Sequence, residues 1–360
     1  MKVLFTISST IMGGAEKQLI YLISEAKKHH ECSLVILDSE GSMTRQYREL
    51  GVEVFECKRE NKFGIPNQII KIRKIIRNRD VDVIQSFLYE SDILVSLASI
   101  GLRRKLFWTA GNVNIPNFSF RKKAILALFS RIFPEKIFPN SEQALDFHTS
   151  IGYPIRKMEI VDNFLPSEPE STIRSILEAR GKGIFKIGMA ARPVQGKGHQ
   201  TLIRAVEYAA SLGLIMQVEF IGDGIQEWEY LLQEKEKSPV CDQIILLRKR
   251  SSLTDWYNSL DCYVMASEEW ESFPNTLTEA IFLECPVISS DIAGIAQGIF
   301  GIRQTFPSGN AIALGKLLKI KVDESETETR SETNRLKKLL LVKYSNVKTF
   351  STWESFWTRN

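Results

Sequence analysis

The chain reads as an α/β protein made of two doubly wound parallel-sheet domains in tandem. Three observations predict this. Its 360 residues exceed what one core usually organises, at roughly 100–200 residues per domain. Short β-branched runs alternate with helix-length patterns along most of the chain, as expected of parallel strands joined by crossover helices. The alternation breaks in FLPSEPESTIRSILEARGKG, from Phe164 to Gly183, whose Pro, Ser and charge content marks an interdomain connection. The expected division is therefore 1–164, 165–340, and a terminal segment 341–360 that packs back on the first domain.

Taken in order, the first domain opens with the strand VLFTIS (3–8) and a helix from Ala15 to His29. The strand CSLVILD, a helix over 43–50, the strand VEVFECK and the amphipathic helix IPNQIIKIRKIIRNR follow. Next come VDVIQSF, a helix over 90–101, KLFWTA, a helix over 120–133, KIFPNS, a helix over 142–151 and a last strand KMEIVDN. The second series runs FKIGMAA, a helix over 199–212, QVEFIGDG, a helix over 226–236, QIILLR and a helix over 253–260. CYVMAS, a helix over 275–283 and PVISSD close it. Past Asp323, ESETETRSETNRLKK reads as a solvated helix or loop, while KYSNVKTFSTWESFW is aromatic and must pack on something.

Composition narrows the function classes. With 44% hydrophobic and 25% charged residues the chain is an ordinary globular protein. Residues 1–165 hold 24 Lys+Arg against 18 Asp+Glu, the remainder 23 against 25, so the first half is basic and the second slightly acidic. That imbalance is mild and no recognition motif accompanies it, so nucleic acid is not an expected partner. Cys32, Cys57, Cys241, Cys262 and Cys285 form no CxxC pair, and the four histidines make no metal-ligand spacing. No metal site is expected. MKVLFTISS lacks the h-region of a signal peptide, and no apolar run reaches the roughly 18 residues of a membrane span. The expected location is the cytoplasm, at most against a membrane face.

Doubly wound sheets bind ligands outside the carboxyl ends of their strands, so the loops there hold the candidate residues. There is no GxGxxG after a strand, and Gly196-Lys197-Gly198 lacks the Ser/Thr and upstream Gly of a P-loop. After the first strand, Gly13 and Gly14 precede a helix; they suit close approach of a phosphate, or equally a tight strand-to-helix turn. In AARPVQGKGHQ, Arg192 and Lys197 project from the loop after the second domain's first strand, where two cations would clamp a diphosphate. Solvated loop cations are the plainer alternative.

ESFPNTLTE sets Glu271 and Glu279 eight positions apart around a helix expected to start near Pro274. Glu279 then lies roughly 8 Å along the helix from its start. The two carboxylates serve different parts of one ligand, too far apart to share a proton. Backbone amides of Phe273, Asn275 and Thr276 face an anion between them. As the alternative, both glutamates simply complement the helix dipole.

Together these blocks resemble a known family. GGAEK at 13–17, ARPVQGKGHQTLIRA at 191–205, FIGDG at 220–224 and ESFPNTLTEAIFLECPVISSDIAG at 271–294 look like family 4 of the retaining glycosyltransferases, which has the GT-B fold of two domains facing across a cleft. The resemblance extends over about 300 residues and includes NSEQALDFHTSIGYPIRKMEIVDN at 140–163. It implies that Arg192 and Lys197 bind the diphosphate of a nucleotide sugar and Glu279 its ribose hydroxyls. Glu271, with the amides of Phe273 and Asn275, would hold the sugar hydroxyls. Gly13 and Gly14 would lie against the donor phosphates and the acceptor. It also implies a metal-independent reaction with no cofactor beyond the donor itself, and a glycan or lipid-linked acceptor in bacterial surface-polysaccharide synthesis.

This sequence departs from the family pattern in places. FWTAGNVN lacks the first-domain His that often contacts the donor sugar, leaving Asn112 or Asn114 in its place. IQSFLYES carries Gln85 and Phe87 where histidines are common, Phe164 stands where Gly is usual, and DIAGIAQG has Ala293-Gly294 and Gln297 for Gly-Gly and Glu. A non-catalytic relative, or a GT-B-like nucleotide-sugar epimerase or phosphorylase, is the competing expectation. Finally, RKKAILALFSRIF (121–133) reads either as a core-facing helix with a basic start or as an interfacial helix for an anionic membrane.

Overall fold

A computed structural model of the chain describes residues 1–11, 13–37, 41, 43–59, 64–111, 113, 119–166, 184–248, 250, 252–269, 271–292 and 300–359. It separates into two compact units: Met1–Phe164 with Tyr344–Asn360, and Leu165–Lys343.

The first unit holds strands β1 (Lys2–Ile7), β2 (Glu31–Ile36), β3 (Glu53–Glu56), β4 (Val83–Phe87), β5 (Lys105–Ala110) and β6 (Lys136–Pro139). They form one parallel sheet in the order β3-β2-β1-β4-β5-β6. Its crossovers include α1 (Gly14–Ala26), α2 (Thr44–Glu49), α3 (Ile65–Asn78), α4 (Tyr89–Ala98), α5 (Phe120–Ile132) and α6 (Glu142–Ser150). The central strands are apolar throughout because both faces are covered. Phe5, Ile7, Phe107 and Phe138 pack on one side with α1, and Leu4, Ile84, Leu106 and Trp108 on the other with α3 and α4.

In KMEIVDN the expected strand is reduced to an isolated bridge, Ile137 with Met158, extended by single hydrogen bonds from Glu159 N to Ile137 O and Val161 N to Pro139 O. The run lies beside the edge strand β6, where no further strand covers its outer side, so alternation alone overstates it.

In the second unit β7 (Phe185–Ala190), β8 (Met216–Ile221), β9 (Ile244–Leu247), β10 (Cys262–Met265), β11 (Val287–Ser290) and β12 (Thr305–Phe306) form a parallel sheet in the order β12-β11-β10-β7-β8-β9. This repeats the first sheet's winding read from the other edge. Helices α7 (His199–Ser211), α8 (Glu229–Lys237), α9 (Thr254–Asn258), α10 (Asn275–Phe282) and α11 (Ala311–Asp323) join or cover the strands. In α7 the buried stripe Leu202, Ile203, Ala205, Val206 and Ala209 has the 3–4 residue spacing of a core-facing helix. From Glu326 onward ESETETRSETNRLKK is helical, as the first part of α12 (Glu326–Lys343), in which Thr329, Thr333, Leu336 and Leu340 are buried.

The last helix, α13 (Asn346–Thr358), belongs to the first unit. Trp353 meets Phe138 edge-on at 4.6 Å, Trp357 meets Phe5 at 5.9 Å, and Trp357 Nε1 donates to Gln85 Oε1 at 3.4 Å. His30 Nε2 pairs with Glu354 Oε1 at 2.9 Å, and Lys105 Nζ donates to the Trp357 carbonyl at 3.1 Å. The aromatic tail thus completes one face of the first core.

Candidate functional site

Each sheet reverses its winding direction once, and at that point the loops leaving two adjacent strands diverge and open a crevice. In the second unit the reversal falls between β7 and β10. The loop after β7 carries Arg192 and Lys197; the loop after β10 carries Ser267 and Glu271. Backbone bonds lock the two together, with Glu268 N donating to Gly196 O at 2.7 Å and Glu269 N to the same oxygen at 3.2 Å. Thr201 Oγ1 also donates to the Glu268 carboxylate. Gly198 turns the loop into α7 with φ +79°, and a Cβ on it would lie 1.8 Å from the Ala266 carbonyl oxygen. No other residue fits this contact.

Lys197 Nζ pairs with Glu271 Oε1, with side chains only 20% and 16% exposed. The same oxygen accepts from Ser267 Oγ at 2.7 Å. Ser267 is itself buried, and its carbonyl accepts from Ser290 Oγ at 2.7 Å. Arg192, on the same loop as Lys197, is exposed.

Pro274 caps α10 instead of occupying its first helical position: with ψ 88° it lies outside helical geometry, and the helix starts at Asn275. Pro274 itself supplies no side-chain cap, and the first amides of a helix have no intrahelical acceptor. Phe273 is buried against Phe300, 5.8 Å away edge-on. Thr276 Oγ1 accepts from Tyr263 Oη at 2.7 Å, and Tyr263 Oη also reaches the Ala190 carbonyl at 3.4 Å, tying the first turn to the end of β7. Glu279, buried on the second turn, accepts from Tyr257 Oη at 3.3 Å, which also reaches the Thr276 carbonyl at 3.0 Å. Burial pushes both phenols well up, so they remain donors at neutral pH. The two glutamates are therefore held by separate partner sets.

Sequence reasoning passed over Ser267, Ser290, Tyr257 and Tyr263. For Ser267 the available signal was its place at the carboxyl end of CYVMAS; the tyrosines gave none, since buried strand and helix aromatics normally only pack. It also passed over His199, the first residue of α7, which lies between Phe220 and Trp228 with neither ring nitrogen hydrogen-bonded among the described residues. Burial, reinforced by Lys197, lowers its pKa to about 4, so it is neutral and serves as packing.

In the first unit the reversal lies between β1 and β4. Gly13 caps α1 in an extended conformation, φ −154°, that any residue adopts. Its missing side chain makes room instead, because a Cβ would lie 2.5 Å from Glu16 Oε2. Gly14 is the first residue of α1. At the end of β4, Leu88 takes φ 71° and ψ 143°, a strained geometry for a branched residue. Gln85, which stands where histidines are common in the family, lies mid-strand in β4, as VDVIQSF predicts, and is fully buried, donating to Thr109 Oγ1 at 2.9 Å. Asn112 and Asn114 lie outside the described residues, as do Ala293, Gly294 and Gln297.

Among the described residues no group of three or more His, Cys, Asp or Glu side chains could hold a metal ion, and no helix is long and apolar enough to cross a membrane. On α5, Leu126 and Ser130 are buried, whereas Phe120, Ile125, Leu128 and Ile132 are 85%, 45%, 55% and 60% exposed.

Comparison with known proteins bears on the family and the fold. Residues 183–318 match the family model described as glycosyl transferases group 1. A Campylobacter jejuni subsp. jejuni serotype O:2 protein, N-acetylgalactosamine-N,N'-diacetylbacillosaminyl-diphospho-undecaprenol 4-alpha-N-acetylgalactosaminyltransferase, is 24% identical over 304 residues, 80% of each chain. The capsular polysaccharide biosynthesis glycosyltransferase CapM of Staphylococcus aureus is 26% identical over 204 residues, 54% of this chain and 50% of CapM. Among solved structures, Anabaena HepE in complex with UDP and glucose superposes with a TM-score of 0.85 at 17% identity, covering 100% of both chains. The fold is GT-B.

Proposed function

From a chain that carries a group 1 glycosyl transferase domain over residues 183–318, we propose an enzyme that moves a sugar from a UDP- or GDP-sugar to a glycan or lipid-linked acceptor in bacterial polysaccharide synthesis. One observation carries this reading: at the second unit's switch point, a cation and a carboxylate from the loops after β7 and β10 meet beside the N-terminus of α10. That arrangement offers a positive handle for a diphosphate and an acceptor for hydroxyls within one site.

Lys197 and Arg192 neutralise the diphosphate as its bond to the sugar's anomeric carbon breaks, with the α10 amides adding partial positive charge. The two cations take the part a metal ion plays elsewhere. Glu279 binds the ribose hydroxyls. Glu271, with the amides of Phe273 and Asn275, binds the sugar's hydroxyls. Gly13 and Gly14 lie against donor phosphates and acceptor. The acceptor hydroxyl attacks the anomeric carbon from the leaving-group side, its proton passing to the departing diphosphate oxygen, so configuration is retained without a side-chain nucleophile.

The HepE complex with UDP and glucose supports a nucleotide-sugar donor, and the Campylobacter relative's diphospho-undecaprenol name supports a lipid-linked acceptor. The exposed apolar stripe of α5, beside exposed Arg121, Lys122 and Arg131, supports peripheral contact with the cytoplasmic face of an anionic membrane.

A thermal-shift panel of UDP- and GDP-sugars tests the donor, because a ligand bound only by the native state stabilises by RT ln(1 + [L]/Kd). Transfer assays on Glu279→Ala, Arg192→Ala and Lys197→Ala, with and without chelator, test the roles. The first should weaken donor binding, the other two should lower kcat, and chelator should change nothing. A flat panel together with undiminished transfer by all three variants would overturn the reading.

A further inference from the structure

Glu271 has two carboxylate oxygens, and the fold treats them differently. Oε1 is approached by two donors, Ser267 Oγ–H at 2.7 Å and the Lys197 ammonium. Among the described residues Oε2 has no partner. A carboxylate cannot donate while ionised, so the single hydroxyl proton of Ser267 must point at Oε1. Its position is fixed from behind, because the Ser267 carbonyl at the end of β10 accepts from Ser290 Oγ at the end of β11, again at 2.7 Å. Lys197 uses one of three N–H donors on Glu271 and keeps two for other oxygens.

We infer that Ser267 is a positioning residue for donor-sugar recognition: together with Lys197 it pins Glu271 Oε1, so that Oε2 is presented to a hydroxyl of the sugar. This rests on the donor-site reading above and assigns a division of labour within it. Ser267 itself touches no substrate. Without its hydroxyl the Glu271 side chain pivots about the Lys197 contact, and the outward oxygen loses its fixed direction. The effect falls on the sugar alone, since the diphosphate and nucleoside are held by other groups. Glu271→Gln follows the same logic. Both groups around Oε1 are donors, so the amide oxygen must face them and the NH2 must face the sugar, replacing an acceptor with a donor.

The test compares two probes by isothermal titration: the nucleotide sugar giving the largest response in the panel above, and the matching nucleoside diphosphate. Ser267→Ala should lose about tenfold in affinity for the nucleotide sugar, the effect of removing one hydrogen bond to a charged group. Its affinity for the nucleoside diphosphate should stay within about twofold, and KM should rise more than kcat falls. Ser267→Cys, similar in volume but a weak donor, should behave like Ser267→Ala and carries the test if the alanine variant folds poorly. Equal losses for both probes, no loss for either, or recovery by Ser267→Cys would each overturn the inference while leaving the donor-site reading standing. A wild-type protein that binds neither probe would sink that reading, and this inference with it.

Discussion

Gly198→Ala perturbs the loop that sets Lys197 in place, and the structure gives its size. At φ +79° any L-residue pays about 1 kcal/mol for the left-handed conformation. The new Cβ would sit 1.8 Å from the Ala266 carbonyl oxygen, against a practical minimum of 3.0 Å, so the two chains must part by at least 1.2 Å. Because the obstructing atom is backbone, no rotamer change relieves it, and overpacking of this kind costs about 2 kcal/mol more. A total of ~3 kcal/mol lowers the melting temperature of a unit this size by ~6–12 °C. Separating the loops after β7 and β10 also pulls Lys197 from Glu271, and a displacement near 1 Å lowers kcat/KM by ~100-fold. Gly213→Ala is the control: φ is +84° there, but nothing lies within 4 Å of the added Cβ, so only the ~1 kcal/mol conformational term and ~2–4 °C remain. Calorimetry and donor-dependence kinetics on both variants decide the matter. Equal melting temperatures, or unchanged kcat/KM in Gly198→Ala, would refute the claim that this contact holds the switch-point loops together.

Three further outcomes are expected. Tyr257→Phe removes the hydroxyl beside Glu279, so nucleoside diphosphate and nucleotide sugar should both bind ~3–10-fold more weakly; titration showing loss for the sugar conjugate alone would contradict the assignment of Glu279 to the ribose. Trp357→Ala empties a fully buried site between α13 and β1 and should destabilise the first unit by ~3–5 kcal/mol, read as a lower urea midpoint and faster proteolysis within 346–358. Burial depresses His148 and His199 from 6.5 to about 4. The unfolded chain therefore takes up protons that the native state refuses, and stability should fall as pH drops from about 6.5 towards 4 and stay level above it. Urea midpoints at pH 7.5, 6 and 5 should show this, and a His148→Gln/His199→Gln variant with an equally steep decline would show that other groups are responsible.

Much of the fold was legible because parallel strands buried on both faces must be apolar along their whole length. VLFTIS, VDVIQSF, KLFWTA, FKIGMAA and CYVMAS each stand out from the helical pattern around them. KMEIVDN shows the limit of that signal: its composition suits a strand, but whether it pairs depends on a neighbour at the sheet edge. The tail shows another, since the aromatic spacing in KYSNVKTFSTWESFW announces burial without naming the surface that receives it. On α5 the same ambiguity decides a different matter. Isoleucine and leucine at 125, 128 and 132 suit a core face or an exposed one, and only the packing of Leu126 and Ser130 shows which side is inward.

In the site, residue types and spacing set out the cations and carboxylates and their places relative to strand ends and one helix. The sequence also implied that Glu271 and Glu279 could not share a proton, because an intervening helix start separates them. What required three dimensions was pairing across the switch point. Lys197 and Glu271 are 74 positions apart and meet because the sheet order sets β7 beside β10. Ser267, Ser290 and Tyr257 gain their roles only from distances that no local pattern encodes. Local sequence determines which chemistry a strand end carries; the winding of the sheet decides which two strand ends share a crevice, since hydrogen-bonded neighbours are chosen by long-range pairing and not by order along the chain.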